Sequence, residues 1–297
     1  MDDATKNTAA ATGRLHLGDV PATALMTLAC RAAETQLERP ILRDPLAAEW
    51  LATLRPRLES PGAESQPSAR LLEAHPATQV YVALRAREFD RITAAFLRRH
   101  PQGVVTTLGC GFDTRFARVG DSGGRFVELD VPEIIAARRV LPRAETDGPA
   151  IACDVMDFGW MTEAATGAEA PMLFLAEGLF MYLKREAAEV LVGELERRFP
   201  GSEMVCEVFN SFWLAPGRRE GLEVKLQREL GFGPGAMFRS GVAEAAELAA
   251  WGRNIEILGE WMHLDEEEAR LGRLRKLRHF PQFRRRQWVV HCRLGGA

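Results

Sequence analysis

The stretch VVTTLGCGFDTRFARVG, from Val104 to Gly120, decides the fold. It opens as a short apolar strand, turns on Gly109 and Gly111, and enters a helix through Asp113, Thr114 and Arg115. A turn between a buried strand and a helix is where an α/β sheet lets a ligand approach the backbone. A dinucleotide loop of the form GxGxxG needs its third glycine for close helix–strand packing, and Thr114 stands at that position. NAD or FAD is therefore the weaker reading of this turn. A GxG by itself is not specific, because the same pair also occurs in turns that are merely tight.

Outward from this turn, short apolar runs alternate with helical ones, the pattern of a parallel α/β sheet. Strands are expected at 104–108, 125–129, 150–153, 172–176 and 203–208, with another near 254–258 and a last one in QWVVHCRL, 287–294. Residues 1–18 read as a disordered tail and 19–297 as one domain. Within that domain, 19–77 form an N-terminal helical segment, with two helices between Thr23 and Leu54 broken around Pro40. Arg55 to Ala69, rich in Pro, Ser and Gly, reads as a loop, and Thr78 to Arg99 as a long helix. The glycines and aromatics of 209–241 suggest a lid or insert over the active site, and a charged helix is expected after Asp265.

With 297 residues, 46% of them hydrophobic, the chain can bury a large core. A formal net charge of -3 provides no global field for a polyanion, so nucleic acid is not an expected partner. Cys30, Cys110, Cys153, Cys206 and Cys292 are scattered, with no CxxC pair, and suggest neither a zinc site nor a disulfide framework. No apolar run approaches the roughly 18 residues of a membrane span, and the polar N-terminus carries early acids. The chain reads as cytoplasmic, with no membrane partner and no metal.

Three further strands end in acids. Asp130 closes RFVELD, 21 positions after Gly109, near the spacing of about 20 at which an acid reaches a ribose hydroxyl. Asp154 closes AIACD and Glu177 closes MLFLAE. A carboxylate at the end of a buried strand needs a partner, so three of them around one glycine turn point to a cationic or hydroxyl-rich ligand. Each could instead cap the helix that follows it. Arg85 shares a helical face with Phe89, Ile92 and Phe96, whereas Arg87, Arg91 and Arg98 fall on another face. Arg85 either finds an anion there or lays its stem on the core and reaches water. Acids for an amine and a ribose, with an arginine for a carboxylate, describe S-adenosylmethionine.

The motifs LGCGFDTRFAR, FVELDVPE, CDVMDFGW and LAEGLFMYL, in this order and spacing, resemble the leucine carboxyl methyltransferase family, and within it the tetracenomycin-type polyketide O-methyltransferases. The likeness extends to TLACRAAETQLERPILRDPLAAEWL and RAREFD upstream and to ILGEWMHLDEEEARLGRL downstream. It implies a class I, Rossmann-like methyltransferase sheet with N-terminal helices and a helical lid, using S-adenosyl-L-methionine. Carried over by residue, it implies that Arg85 holds the methionyl carboxylate and that Gly109 and Gly111 lie against the cofactor. Asp130 would take the ribose hydroxyls, Asp154 and Val155 the adenine, and Glu177 the methionine moiety near its ammonium. Tyr182 would stand toward the substrate as the candidate catalytic residue. Segment 209–241 departs from the family pattern, which leaves the acceptor pocket undefined.

Methyl transfer from a sulfonium is an in-line displacement, so the protein chiefly aligns the acceptor and excludes water. A phenol acceptor benefits from a base, usually His. His16, His75 and His100 lie in tail or loop contexts, and His263, His279 and His291 in no catalytic motif. A carboxylate needs no base, and the resemblance also implies that acceptor, on a polyketide-like metabolite or a peptide. The alternatives are a phenol O-methyltransferase and a non-catalytic protein that binds cofactor or a partner. Phe209, Phe212, Trp213, Met237 and Phe238 could stack on a planar acceptor or simply be core. The run RLRKLRHFPQFRRR, Arg273 to Arg286, could meet an anionic substrate, an acyl-carrier protein or RNA, but reads better as a solvated helix face followed by a turn.

Overall fold

Side chains along a strand alternate between the two faces of a sheet, and a strand that is apolar on both sides must be covered on both. The computed structural model describes residues 17–58, 71–73, 75–142, 149–165 and 170–295. Seven strands form one sheet in the order β3-β2-β1-β4-β5-β7-β6. They are β1 (Val104–Leu108), β2 (Arg125–Asp130), β3 (Ala150–Ala152), β4 (Met172–Ala176), β5 (Glu203–Phe209), β6 (Ile255–Trp261) and β7 (Gln287–Leu294). The first five run parallel, and β7 is antiparallel to both β5 and β6.

Every residue of β1, β4 and β5 is buried, and neighbours in sequence feed opposite layers. Leu108, Leu129, Phe174 and Cys206 pack with Leu191 and Leu195 of the helix Arg185–Arg198. Val105, Phe126, Leu173 and Val205 pack against Phe89, Phe96 and Leu97 of helix α3 (Pro76–Arg99). That helix starts on a proline, whose missing N–H costs nothing in the first turn. A third cluster joins α1 (Asp19–Thr35) and α2 (Pro45–Leu58) to Leu222, Leu226, Phe232 and Phe238 of segment 209–241.

Successive strands move one way from β1 to β3 and the other way from β4 to β5, so the order reverses between the paired strands β1 and β4. Ligands of open α/β sheets bind beyond the C-terminal ends of the strands at this reversal. Gly109 follows β1 and Glu177 follows β4.

Several expectations shift in detail. Strand β2 runs one residue further, to Asp130, β3 ends before Cys153, and β6 covers 255–261 rather than 254–258. The expected loop from Arg55 begins as helix: α2 continues through Pro56 to Leu58, because Leu54 and Leu58 share a buried face one turn apart. The rest of that loop, and the tail as far as residue 16, lie outside the described residues. The charged helix after Asp265 is instead a string of 3-10 turns, Ala269–His279, kinked at Gly272 with φ 50°. Leu271, Leu274 and Leu277 recur every third residue, the period of a 3-10 helix. No helix among the described residues is long and apolar enough to cross a membrane.

Candidate active site

The glycine turn is built for close approach. Gly109 and Gly111 have φ of 66° and 49°, a region that L side chains rarely adopt. A Cβ on Gly111 would sit 2.8 Å from the Ala24 Cβ of α1. Asp130 holds the turn: one oxygen accepts the Gly111 amide at 2.6 Å, the other the Val131 amide at 2.7 Å. Burial pushes this carboxyl up to about 6, against the pull of those two hydrogen bonds.

Thr114, where a dinucleotide loop would carry glycine, is fully buried and ties the turn to the N-terminal helices. Its hydroxyl donates to Asp44 at 2.6 Å and accepts from Arg31 and Arg118 at 2.7 and 2.8 Å. Arg31 also reaches the Phe112 carbonyl at 2.7 Å. Arg115 bonds Asp90 at 2.8 Å and Glu177 at 2.6 Å. Glu177 is shared with Arg85, whose Nε lies 2.8 Å away, and Arg85 Nη1 meets both oxygens of Glu207. Among the described residues, this ion-pair network joins Arg31, Arg85, Arg115 and Arg118 to Asp44, Asp90, Asp113, Glu177 and Glu207. Five carboxylates thus face four guanidinium groups, a formal excess of one negative charge. The arginines hold the Asp44, Asp113 and Glu177 carboxyls below the usual range despite burial.

A cavity of about 630 Å³ opens over this network, and it brings the expected cofactor residues and Tyr182 to one place. Arg85, Gly109, Gly111, Asp130, Asp154, Val155, Glu177 and Tyr182 all line it. Their states differ from a simple ring of hungry acids. Glu177 is already paired with two arginines, and Asp154 is exposed, with one oxygen accepting the Met156 amide at 2.9 Å. Arg85 keeps Nη2 without a hydrogen-bond partner among the described residues. Burial raises the Tyr182 phenol above its ordinary value; it stays protonated beside Thr23, able to hydrogen-bond but unsuited to act as a base.

Of the four aromatic residues and Met237 named for segment 209–241, Phe209 and Phe238 line the cavity, packed edge to face with ring centroids 4.8 Å apart. Phe212 lies exposed at the surface, and Trp213 donates its indole N–H to the Gln282 carbonyl. The basic run 273–286 is largely solvated, with Arg273, Lys276, Arg278 and His279 exposed, on 3-10 turns rather than a regular helix. Leu274, Leu277, Phe283 and Arg286 form cavity wall, while Arg284 and Arg285 pair outward with Asp265 and Glu260.

Sequence reasoning passed over Glu207, Tyr81, His263 and Arg286. Glu207 is fully buried in β5 and gathers the Tyr81 hydroxyl, Arg85 and the Gln287 amide around one carboxylate. An acid inside the apolar run EMVCEVF was the available signal. His263 reaches the cavity edge-on to Tyr81, centroids 4.7 Å apart, and burial with the nearby Arg286 charge pushes its pKa down to about 4.

The profile of the leucine carboxyl methyltransferase family matches residues 24–196. The tetracenomycin polyketide synthesis O-methyltransferase TcmP of Streptomyces glaucescens is 31% identical over 189 residues, 63% of this chain and 64% of that protein. The chain thus matches somewhat less than two thirds of that relative's length. A putative S-adenosyl-L-methionine-dependent methyltransferase of Mycobacterium marinum is 30% identical over 216 residues, 67% of each chain. A crystallised DUF574-family protein of Streptomyces avermitilis superposes over 89% of this chain and 96% of its own with a TM-score of 0.52 at 15% identity, a likeness of fold. With the motifs on the glycine turn and the strand ends inside the matched region, the chain belongs to the leucine carboxyl methyltransferase family of S-adenosylmethionine-dependent methyltransferases.

Proposed function

We propose that the protein is an O-methyltransferase that forms a methyl ester on the carboxylate of a small, apolar biosynthetic metabolite. The observation that carries this reading is the division of charge along the cavity. In the half at the glycine turn the lining acids Asp113, Asp130, Asp154 and Glu177 outnumber the arginines Arg31 and Arg85, with the network's excess negative charge behind them. In the half formed by residues beyond 181, the charged lining groups are Lys225, Arg239 and Arg286, set among Leu222, Leu226, Phe232 and Phe238. The first half suits a sulfonium and an ammonium, the second an apolar anion.

When bound, S-adenosylmethionine supplies an electrophilic methyl group on a sulfonium. Arg85 Nη2 would take the methionyl carboxylate and Glu177 would face the ammonium. Asp130 would accept from the ribose hydroxyls, and Asp154 with Val155 would border the adenine. Gly109 and Gly111 let the backbone come close. Tyr182 stands on the acceptor side as a hydrogen-bond donor. Segment 209–241, which lines the acceptor half through Leu222, Leu226 and Phe238, would act as a lid that excludes water. Transfer to a carboxylate cancels one positive and one negative charge and moves no proton, which fits a site whose phenol and imidazole are both poor bases. The polyketide role in TcmP's name supports an acceptor of that kind.

His263 favours a second reading, a hydroxyl acceptor, because a neutral imidazole does line the cavity. With its pKa near 4, deprotonating a phenol of pKa about 10 lies several units uphill. The deciding experiment transfers a radioactive methyl group and treats the product with dilute alkali. Volatile methanol identifies an ester; label that stays on the acceptor overturns the carboxylate reading.

A further inference from the structure

Buried arginines in this protein come with acids. Arg31, Arg85, Arg115, Arg118 and Arg138 each sit against one or more carboxylates. Arg286 does not. It lines the cavity, is partly buried, and among the described residues forms no ion pair. Its guanidinium lies 5.3 Å from the centre of the Trp213 ring, and burial lowers its pKa against the opposing charge of Glu229 and the Tyr81 phenol. Desolvating a cation without a counter-ion is costly unless an anion arrives to share the site. Around it stand neutral groups: His263, Tyr81 and Gln287 line the same wall, and the Tyr81 hydroxyl and Gln287 amide are already committed to Glu207.

We infer that Arg286 is the anion anchor of the acceptor pocket and grips the acceptor's reacting carboxylate. The assignment rests on the carboxylate reading above and adds the residue that selects the acid. Its position explains both recognition and release. The planar fork of an arginine meets a carboxylate through paired hydrogen bonds, and the surrounding apolar wall strengthens that attraction. In the transfer, the acceptor oxygen forms a bond to the methyl carbon as the sulfur–carbon bond breaks, and the bonding pair stays on sulfur. The product ester is neutral, so Arg286 loses the charge it held and the ester leaves. Arg239, exposed where it lines the cavity, adds positive potential along the way in, whereas Lys225 is paired with Glu229 at 3.6 Å.

The test uses the full chain saturated with S-adenosylhomocysteine, so that no turnover occurs, and titrates it calorimetrically with benzoate, 2-naphthoate and anthracene-2-carboxylate and with their methyl esters. The wild type should prefer at least one acid over its ester by about 10-fold or more, the scale of a charged hydrogen bond. In Arg286→Gln that preference should fall to about twofold or less, while Arg286→Lys should keep part of it because the charge remains. An unchanged S-adenosylhomocysteine affinity in both variants shows that the fold and the cofactor half are intact. Absence of binding by all three acids to the wild type, or an unchanged preference in Arg286→Gln, overturns the assignment. The alkali assay separates it from its parent. An alkali-stable methyl with an Arg286-dependent acid preference removes the ester reading and leaves the anion site standing. An alkali-labile methyl with a preference indifferent to Arg286 does the reverse.

Discussion

Arg85 Nη1 lies 2.9 and 2.8 Å from the two oxygens of Glu207, a carboxylate with no exposed surface, and this pair is the hinge of the cofactor half of the cavity. It fixes the arginine from below while Glu177 fixes it from the side.

Glu207→Gln should therefore strip the charge that balances Arg85 and loosen Tyr81 and Gln287 with it. Breaking one side of a buried ion pair costs about 3–5 kcal/mol, and denaturant unfolding should show a loss of that order. A loss below about 1 kcal/mol would mean that Glu177 alone suffices to hold Arg85.

Arg85 and Arg87 are separable although they are two residues apart. Arg87 is half exposed and pairs with Glu266 at 2.8 Å, so Arg87→Lys should change stability by no more than about 0.5 kcal/mol and leave cofactor affinity alone. Arg85→Lys removes the fork and should weaken cofactor binding about 10-fold or more by calorimetry. The reverse ranking would move the carboxylate site off Arg85.

Asp130 makes the native state sensitive to pH. Its pKa is pushed up to about 6 in the folded protein, against about 3.9 unfolded. Below about pH 4 both states hold the proton; as pH rises through 6 the unfolded state ionises first, and the native state loses up to about 3 kcal/mol relative to it. Asp130→Asn should cancel this, so the variant's stability relative to wild type should rise between pH 4 and pH 7. Parallel unfolding curves at both pH values measure it, and a gap that stays constant refutes it.

Two glycine substitutions should differ for a steric reason. Gly272→Ala meets open space and should cost only the conformational strain of its positive φ, about 1–3 kcal/mol. Gly111→Ala adds a Cβ 2.8 Å from Ala24 to the strain of its own positive φ and must displace α1, so its melting temperature should fall further.

The rate of methyl transfer should be nearly flat between about pH 6 and 9, since a carboxylate of pKa about 4 is ionised throughout. A rate that climbs with pH under saturating acceptor would point to a hydroxyl that must lose its proton.

By itself, the sequence determined the sheet, the glycine turn and the acids at the strand ends. Those features are local: short apolar runs, positive-φ glycines and a carboxylate at or just past the end of a strand are read from neighbours along the chain. The motifs around Gly109, Asp130 and Glu177 also carried the family. Tertiary structure decided which charges cancel and which remain. Arg85 meets Glu207 from 122 residues away, and Arg31 meets Thr114 from 83, distances over which no periodicity links one side chain to the other. Thr114 looked like the loss of a glycine and proved to be the knot between the turn and the N-terminal helices. The run 273–286 reads as solvated charge, and much of it is exposed. Its last arginine is the exception: Arg286 stands in the cavity wall and forms no ion pair among the described residues, a fact that exists only once the far ends of the chain have met.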